Sequence, residues 1–335
     1  MFENMRFTTG NTKSPIAGAL LRSLGENGEL SIASLRSLSP LSDRAQIAVD
    51  KAVVEVGLER LTFAADIMAA GLTYPLTDPL SVTQLEWEST GKSGGAQRTM
   101  SPSARGENQL PDRIINRLPI YLTTDDFSLG IRTLKMSQRV GQPLDTALIK
   151  QATRRVNEAI EDAAINGTTT VDGSALVVGG YGAPGLLNAP NANVHTLTAS
   201  WVTATGDQIY TDVAAMISKL QADKKYGPYN LYVGTAFGGG IDRDFKANGT
   251  LTIRQRLLAI DQLQSIKTAD MLPVNKAVIV QMTSDVIDMV TGQPPTVIPW
   301  TSLDGFTLFW LVMAIMVPRV RSDYDGNSGI VIGSV

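Results

Sequence analysis

The stretch Gln84-Leu85-Glu86-Trp87-Glu88, read together with Leu118-Pro119-Ile120-Tyr121-Leu122, decides how this chain folds. In the first, Leu85 and Trp87 alternate with polar side chains, the period-two signature of a strand. In the second, Leu118, Ile120 and Leu122 alternate in the same way. Between them lie the 24 residues Ser89 to Asp112, with only four apolar side chains and with Gly91, Gly94, Gly95, Gly106, Pro102 and Pro111. A structureless loop of that length is uncommon in a compact domain unless it has a function. Two strands leading out to it predict a hairpin arm over residues 80–122. Such an arm has no core of its own, and a neighbouring subunit is the simplest partner to order it. Trp87 on its strand, Lys92 near its tip, and Arg98 and Arg105 farther along are the candidate inter-subunit contacts; the arginines suit a neighbour's carboxylates.

Toward the N-terminus, residues 1–42 read as an extended arm with short apolar anchors, among them Leu20 and Leu24. Its scattered cations Arg6, Lys13 and Arg22 are the candidates to face a polyanion. A helix is expected from Asp43 to Val56, with Asp43 as cap and Gln46 as its reciprocal partner. Toward the C-terminus, the clearest helix runs from Pro143 to Asn166, with a stripe of Leu144, Leu148, Ala152, Val156, Ile160 and Ala163, Ala159 beside it, and Gly167 as terminator. An α/β subdomain follows over 168–295. It holds a helix at 207–225 carrying Ile209, Val213, Met216, Ile217 and Leu220, a strand at 230–234, a helix at 252–263 and a strand at 277–282. Pro294-Pro295 marks its exit, and the tail returns as strands at 306–320 and 329–332.

The chemistry available is sparse. Among 335 residues there are no Cys and one His, His195, and the formal net charge is -3. That excludes disulfide staples, zinc ribbons, iron–sulfur clusters and thiol nucleophiles, and it lacks the basic excess of a dedicated nucleic-acid binder. Gly180, Gly182 and Gly185 satisfy G-x-G-x-x-G, but Pro190 stops the helix that a pyrophosphate would need, so a Gly-rich turn is the reading. His195 lies in a polar loop without a nucleophile elbow. The neighbouring carboxylates Asp125-Asp126 and Glu161-Asp162 diverge on any regular element and read as solvated charge. No catalytic residue, cofactor or metal ligand is expected. The longest apolar stretch, Phe306 to Val317, falls short of the ~20 residues of a spanning helix. Charged residues make up 18% of the chain, against about 25% in ordinary domains, which points to surface that faces other protein.

The order of these elements resembles the major capsid proteins of tailed bacteriophages with the Hong Kong 97-type fold, in their encapsulin-like branch. The resemblance rests on Asp126-Phe127-Ser128-Leu129-Gly130-Ile131-Arg132, on Ala159-Ile160-Glu161-Asp162 running to Asn166-Gly167, on Gly185-Leu186-Leu187-Asn188, and on Asp325-Gly326-Asn327-Ser328-Gly329-Ile330. It implies an α+β fold divided into an N-terminal arm (1–42), the start of a peripheral domain (43–79), an extended loop (80–122), the peripheral domain with its spine helix (123–167), an axial α/β domain (168–295) and peripheral C-terminal strands (296–335). It implies a structural subunit, not an enzyme, that assembles as hexamers and pentamers into an icosahedral virion shell around double-stranded DNA, formed in the host cytoplasm and without a membrane. Scaffolding, decoration and portal proteins would be separate chains. Lys92 stands where the type member has a cross-linking lysine, but no Asn and acid partners are evident. An encapsulin-type nanocompartment enclosing a cargo protein is the nearest alternative, and a small-molecule α/β enzyme the one from another class.

Overall fold

The computed structural model describes residues 51–53, 62–91, 98, 100, 112–132, 136, 147–168, 174–246, 249–302 and 306–335. The expectations for Arg6, Lys13, Leu20, Arg22, Leu24, Lys92, Arg105, the cap at Asp43 and the helix start at Pro143 lie outside the described residues. In chain order the elements are α1 (Phe63–Ala69), β1 (Thr73–Pro75), β2 (Gln84–Thr90), β3 (Arg113–Pro119), β4 (Thr123–Gly130), α2 (Ala147–Asn166), β5 (Val177–Val178), β6 (Tyr181–Gly182), β7 (Asn193–Thr196), α3 (Gly206–Ala222), β8 (Tyr229–Val233), α4 (Thr235–Ile241), α5 (Ile253–Leu258), β9 (Leu263–Thr268), β10 (Lys276–Gln281), β11 (Ile287–Thr301), β12 (Thr307–Val320) and β13 (Ile330–Ser334). The chain divides into one unit of residues 1–57, 124–156 and 295–313, and another of residues 58–123, 157–294 and 314–335.

The larger unit is built on a five-stranded sheet in the order β7-β13-β10-β8-β9. Its central strands are apolar on both faces, as strands covered on both sides must be: every residue of β8 is buried. The stripe read from sequence on α3 is the buried one, with Ile209, Val213, Met216, Ile217 and Leu220 packed among Leu231, Val233, Ile279 and Val331. Thr205 caps α3 in a reciprocal box with Gln208, and Thr252 caps α5 with Gln255 in the same way, satisfying amide groups that have no partner inside the helix. Both edges of the sheet are guarded. Lys219 Nζ donates to the Val194 carbonyl on β7 at 2.6 Å, and Arg254 Nη1 to the Ile266 carbonyl on β9 at 2.7 Å. Edge carbonyls held in this way are poorer templates for stray strand pairing.

Three expectations are corrected here. Leu263, expected to close a helix begun at Thr252, opens β9 instead; α5 stops at Leu258. The last strand does not return to the peripheral part of the chain. β13 inserts between β10 (Val278↔Ile332) and β7 (Ile332↔Val194), inside the α/β sheet. Glu161 is not a solvated charge. It is 2% exposed and accepts from Thr62 Oγ1 (2.6 Å), Phe63 N (2.7 Å) and Ala64 N (3.0 Å). A carboxylate against the first amides of α1 satisfies donors that the helix itself cannot. α1 is tied down further along: Asp66 accepts from Tyr232 (2.8 Å) and Lys267 (2.5 Å), and Phe63 meets the Tyr232 ring edge-to-face at 5.0 Å. Burial pushes the Tyr232 hydroxyl far above its ordinary pKa, so it remains a donor.

The buried side of α2 is turned from the expected stripe. Ile149, Ala152, Val156, Ile160 and Ala163 are buried, but Leu148 and Ala159 are exposed, and Thr153 and Asn157 are buried in their place. Thr153 satisfies its hydroxyl on the Ile149 carbonyl at 2.8 Å. In the larger unit, α2 ends at Gly167, whose φ of +86° is easy only for glycine. The last carbonyls are taken up by the following loop, with Leu186 N donating to Ala164 O and Leu187 N to Ile165 O. Gly185 makes that approach possible: a Cβ there would lie 2.4 Å from Gly167 N and 2.8 Å from the Ile165 carbonyl. Both neighbours are backbone, so Gly185→Ala is expected to cost about 1–3 kcal/mol, as overpacking does. A lowered unfolding midpoint in urea is the check.

In the smaller unit, β4 presents Asp125 and Phe127 on one face. Arg155 Nε reaches Asp125 at 3.0 Å, and the Phe127 ring stacks on Trp310 with centroids 6.0 Å apart. Pro295 does not end an element: β11 runs for 15 residues through Pro294, Pro295 and Pro299 to Thr301. Their missing N–H groups are tolerated at strand positions that do not donate to the ladder.

Candidate assembly surface

The two strands expected to lead out to the arm pair as a two-stranded ribbon. β2 and β3 pair antiparallel from Gln84↔Pro119 to Thr90↔Arg113, and among the described residues neither joins another sheet. The second strand lies nearer the arm's outer end than the alternation at Leu118, Ile120 and Leu122 indicates; Ile120 and Leu122 fall outside it. One face of the ribbon is laced by cross-strand ion pairs, Arg117–Glu86 at 2.6 Å and Arg113–Glu88 at 3.2 Å. Such exposed pairs set register more than stability. The other face packs Leu85, Trp87 and Leu118 against Val290 and Val317. The packing is closest at the root, where Leu118 is buried. Toward the outer end Ile114 and Ile115, on opposite faces, are both about half exposed. A two-stranded ribbon buries neither face by itself and is marginal in water.

Trp87 sits midway along β2, on its packed face. Arg319 lies with its guanidinium 5.5 Å from the Trp87 ring centroid and 4.7 Å from that of Tyr74. Arg319 is 3% exposed and makes a two-pronged ion pair with Asp288, at 2.8 Å from Nε and 2.5 Å from Nη2; Arg321 adds a third contact to Asp288 at 2.7 Å. Nothing in the local sequence signals this buried group, because its members come from β1, β2, β11 and the end of β12. Arg98 is exposed.

The glycine motif is a tight hairpin, β5–β6, turning at Gly179 (φ +60°) and Gly180 (φ +86°), two successive positive φ angles of the kind that a type I′ turn requires. No helix follows Gly185, as Pro190 indicates. This hairpin leans on the ribbon: Gln84 Nε2 donates to the Val178 carbonyl at 3.1 Å, and the Arg117 guanidinium lies 5.4 Å from the Tyr181 ring centroid. Val177, Val178 and Tyr181 remain exposed beside it.

A cleft of about 320 Å³ opens beside the outer half of β2, walled by Trp87, Glu88, Asp285, Arg321, Asp323 and Tyr324. Lys225, buried, donates to Asp285 at 2.5 Å. Burial works to raise the Asp285 pKa, but the hydrogen bonds from Lys225, from Thr283 and from the Asp285 backbone, together with the Lys225 charge, outweigh it and the net shift is downward. A depressed folded-state pKa means stability that is present above the unfolded carboxylate value of about 4 and lost as the pH falls through the folded value. Asp285→Asn is therefore expected to lower stability at pH 7, where the carboxylate contributes fully, and to converge on the parent as the pH falls below about 4, as read by thermal unfolding across pH.

His195 lies on β7 with Nε2 3.8 Å from Asp212. Asp212 is already occupied by the Thr198 amide, the Thr198 hydroxyl (2.6 Å) and the Trp201 indole (3.0 Å), so it acts as a structural anchor. Among the described residues no group of three or more His, Cys, Asp or Glu is arranged to hold a metal ion, and no helix is long and apolar enough to cross a membrane.

The fold has clear relatives. A capsid chain of Myoviridae phage XM1 superposes with a TM-score of 0.63, covering 92% of this chain and 99% of its own length at 13% identity. A virus-like particle chain from Pyrococcus furiosus gives 0.57, with 85% and 98% covered at 14% identity. A chain of Mycobacterium phage Bobi gives 0.56, with 92% and 99% covered at 13% identity. No curated protein sequence matches. Likeness at these identities establishes the fold, the Hong Kong 97-type fold of capsid and encapsulin-like shells. Residues 75–333 match the model of a family of unknown function, DUF6260, and the chain belongs to that family.

Proposed function

We propose that this chain is a major capsid protein, a structural shell subunit that assembles with copies of itself into a closed icosahedral particle. The observation that carries the reading is the β2–β3 ribbon. It is an arm with apolar side chains exposed on both faces, on a fold that similar chains use in capsids. A neighbouring copy would cover Ile114 and Ile115 and receive Lys92, Arg98 and Arg105. In this reading residues 123–167 form the peripheral domain with its spine helix, and residues 168–295 the axial domain. Hexamers and pentamers close the shell, and it encloses double-stranded DNA without sequence specificity; Arg6, Lys13 and Arg22 are candidates for the inner face. The subunit's role is structural, in the virion, and calls for no catalytic residue. Scaffolding, decoration and portal proteins remain separate partners.

The likeness to the Pyrococcus furiosus virus-like particle favours one second reading, a nanocompartment shell around a cargo protein. Particles purified from the native source, treated with nuclease and then opened, separate the two. Protected DNA in molar excess over any co-purifying protein is expected. A stoichiometric cargo protein with no nucleic acid would replace the viral reading by the second.

A further inference from the structure

The C-terminal stretch 322–328 forms a tight turn fixed to the body. Ser322 and Ser328 bridge as antiparallel partners, Asp323 N donates to Asn327 O at 3.0 Å and Gly326 N to Asp323 O at 3.0 Å, and Gly326 has a φ of +83°. Asn191 Nδ2 donates to Ser322 Oγ at 3.2 Å, and Ser328 N to Asp223 at 3.2 Å. This turn presents Tyr324 to the point where the ribbon leaves the body. The ring lies over Gly91, where a Cβ would come within 2.9 Å of Cδ1 and 3.0 Å of Cε1. Its hydroxyl donates to Asp112 Oδ2 at 3.3 Å, and Gly91 N donates to Asp112 O at 2.8 Å, closing the outermost rung among the described residues. One side chain thus touches both strands at the last hydrogen-bonded pair among the described residues.

We infer that Tyr324 is a positioning residue for assembly: it clamps the outermost rung of the β2–β3 ribbon and sets the direction in which the arm leaves the subunit. This rests on the reading of the arm as an inter-subunit contact. A ribbon held only at its root pivots, and the pivot is magnified along its length. Extended chain rises about 3.3 Å per residue, so a tilt of about 10° moves a contact about ten residues out by roughly 6 Å, more than a packed contact tolerates. The clamp is light. Tyr324 is 37% exposed and belongs to no core, so its loss leaves the packed sheets as they are. Gly91 is the complementary half: only a residue without a Cβ admits the ring at this distance. The cleft beside Tyr324, walled by Trp87 and Arg321, gives a released ring room to move.

The test uses the full-length chain assembled in vitro, with particle diameter read by electron microscopy. Unfolding midpoints and amide exchange are read on the unassembled subunit. Tyr324→Ala is expected to keep the unfolding midpoint of the parent, to speed exchange of the Gly91 amide but not of β8 or β10, and to lose the single particle diameter in favour of mixed sizes and open sheets. Tyr324→Phe, which keeps the ring contact, is expected to restore uniform shells. Gly91→Ala displaces the ring from the other side and is expected to reproduce the defect; it decides the matter if Tyr324→Ala does not fold. Uniform shells of parental diameter from Tyr324→Ala, or from Gly91→Ala, overturn the inference. A parent chain that forms no shells removes instead the functional reading on which it rests.

Discussion

Replacing Glu161 by Ala is expected to destabilise the subunit by about 3–5 kcal/mol, enough to unfold most single domains at 37 °C. The carboxylate is buried and receives three donors, the Thr62 hydroxyl and the amides of Phe63 and Ala64. Hydrogen bonds to a charged acceptor contribute about 1.5–3 kcal/mol each, and a buried donor left without a partner costs about 1–3 kcal/mol. Thr62 is able to turn elsewhere, but the two amides are fixed by α1. Glu161→Gln keeps one carbonyl oxygen and turns an NH₂ toward a donor, so it is expected to recover part of the loss. Denaturant unfolding of the unassembled subunit measures both. A Glu161→Ala midpoint within error of the parent would mean that water replaces the carboxylate and that α1 needs no such cap.

The second large effect concerns Asp288. Removing it leaves Arg319, almost fully buried, and half-buried Arg321 without their shared anion. Breaking one side of a buried ion pair costs about 3–5 kcal/mol, because an uncompensated charge stays out of water. Asp288→Ala is expected to fall in that range. The double variant Asp288→Leu with Arg319→Met is expected to recover most of it, since an apolar pair of similar volume avoids the desolvation of both charges. The double change also removes the cation from between Tyr74 and Trp87, a contribution of about 1 kcal/mol, so recovery is expected to be incomplete. A double variant no more stable than Asp288→Ala would show that Arg319 holds the ribbon chiefly through the two rings.

Local patterns carried well where one face of an element was buried and the other wet. The stripe on α3 is of that kind, and so is the alternation of Leu85 and Trp87 on β2. They failed where that contrast was missing. β3 has apolar Ile114 and Ile115 side by side because both faces of the outer ribbon are open, so no alternation marks its start. β9 carries its buried side chains, Leu263 and Ile266, at a spacing of three, which imitates a helix. The place of β13 was illegible for another reason: its partners β7 and β10 are far away in sequence, and nothing in Ile330–Ser334 distinguishes one sheet from another.

The same limit governs the site. The strands that lead out to the arm follow from spacing, but their anchoring depends on pairs brought together only by the fold. Glu161 meets Phe63 across 98 residues of sequence, and Tyr324 meets Asp112 across 212. One partial signal was present: Thr153, Asn157 and Glu161 recur every four residues on α2, a polar row parallel to the apolar stripe. Three such residues on one helix face point either to water or to buried partners, and only the fold decides between them.

The central claim is that this chain builds a shell in which the arm is ordered by the neighbouring copy. A cryo-electron-microscopy reconstruction of the purified, full-length protein tests it most directly. The account predicts closed icosahedral particles in which residues 91–112 of each subunit lie against an adjacent one, covering Ile114 and Ile115. A protein that stays a single chain of 35.9 kDa, or a dimer, with those two side chains still in water, would contradict it.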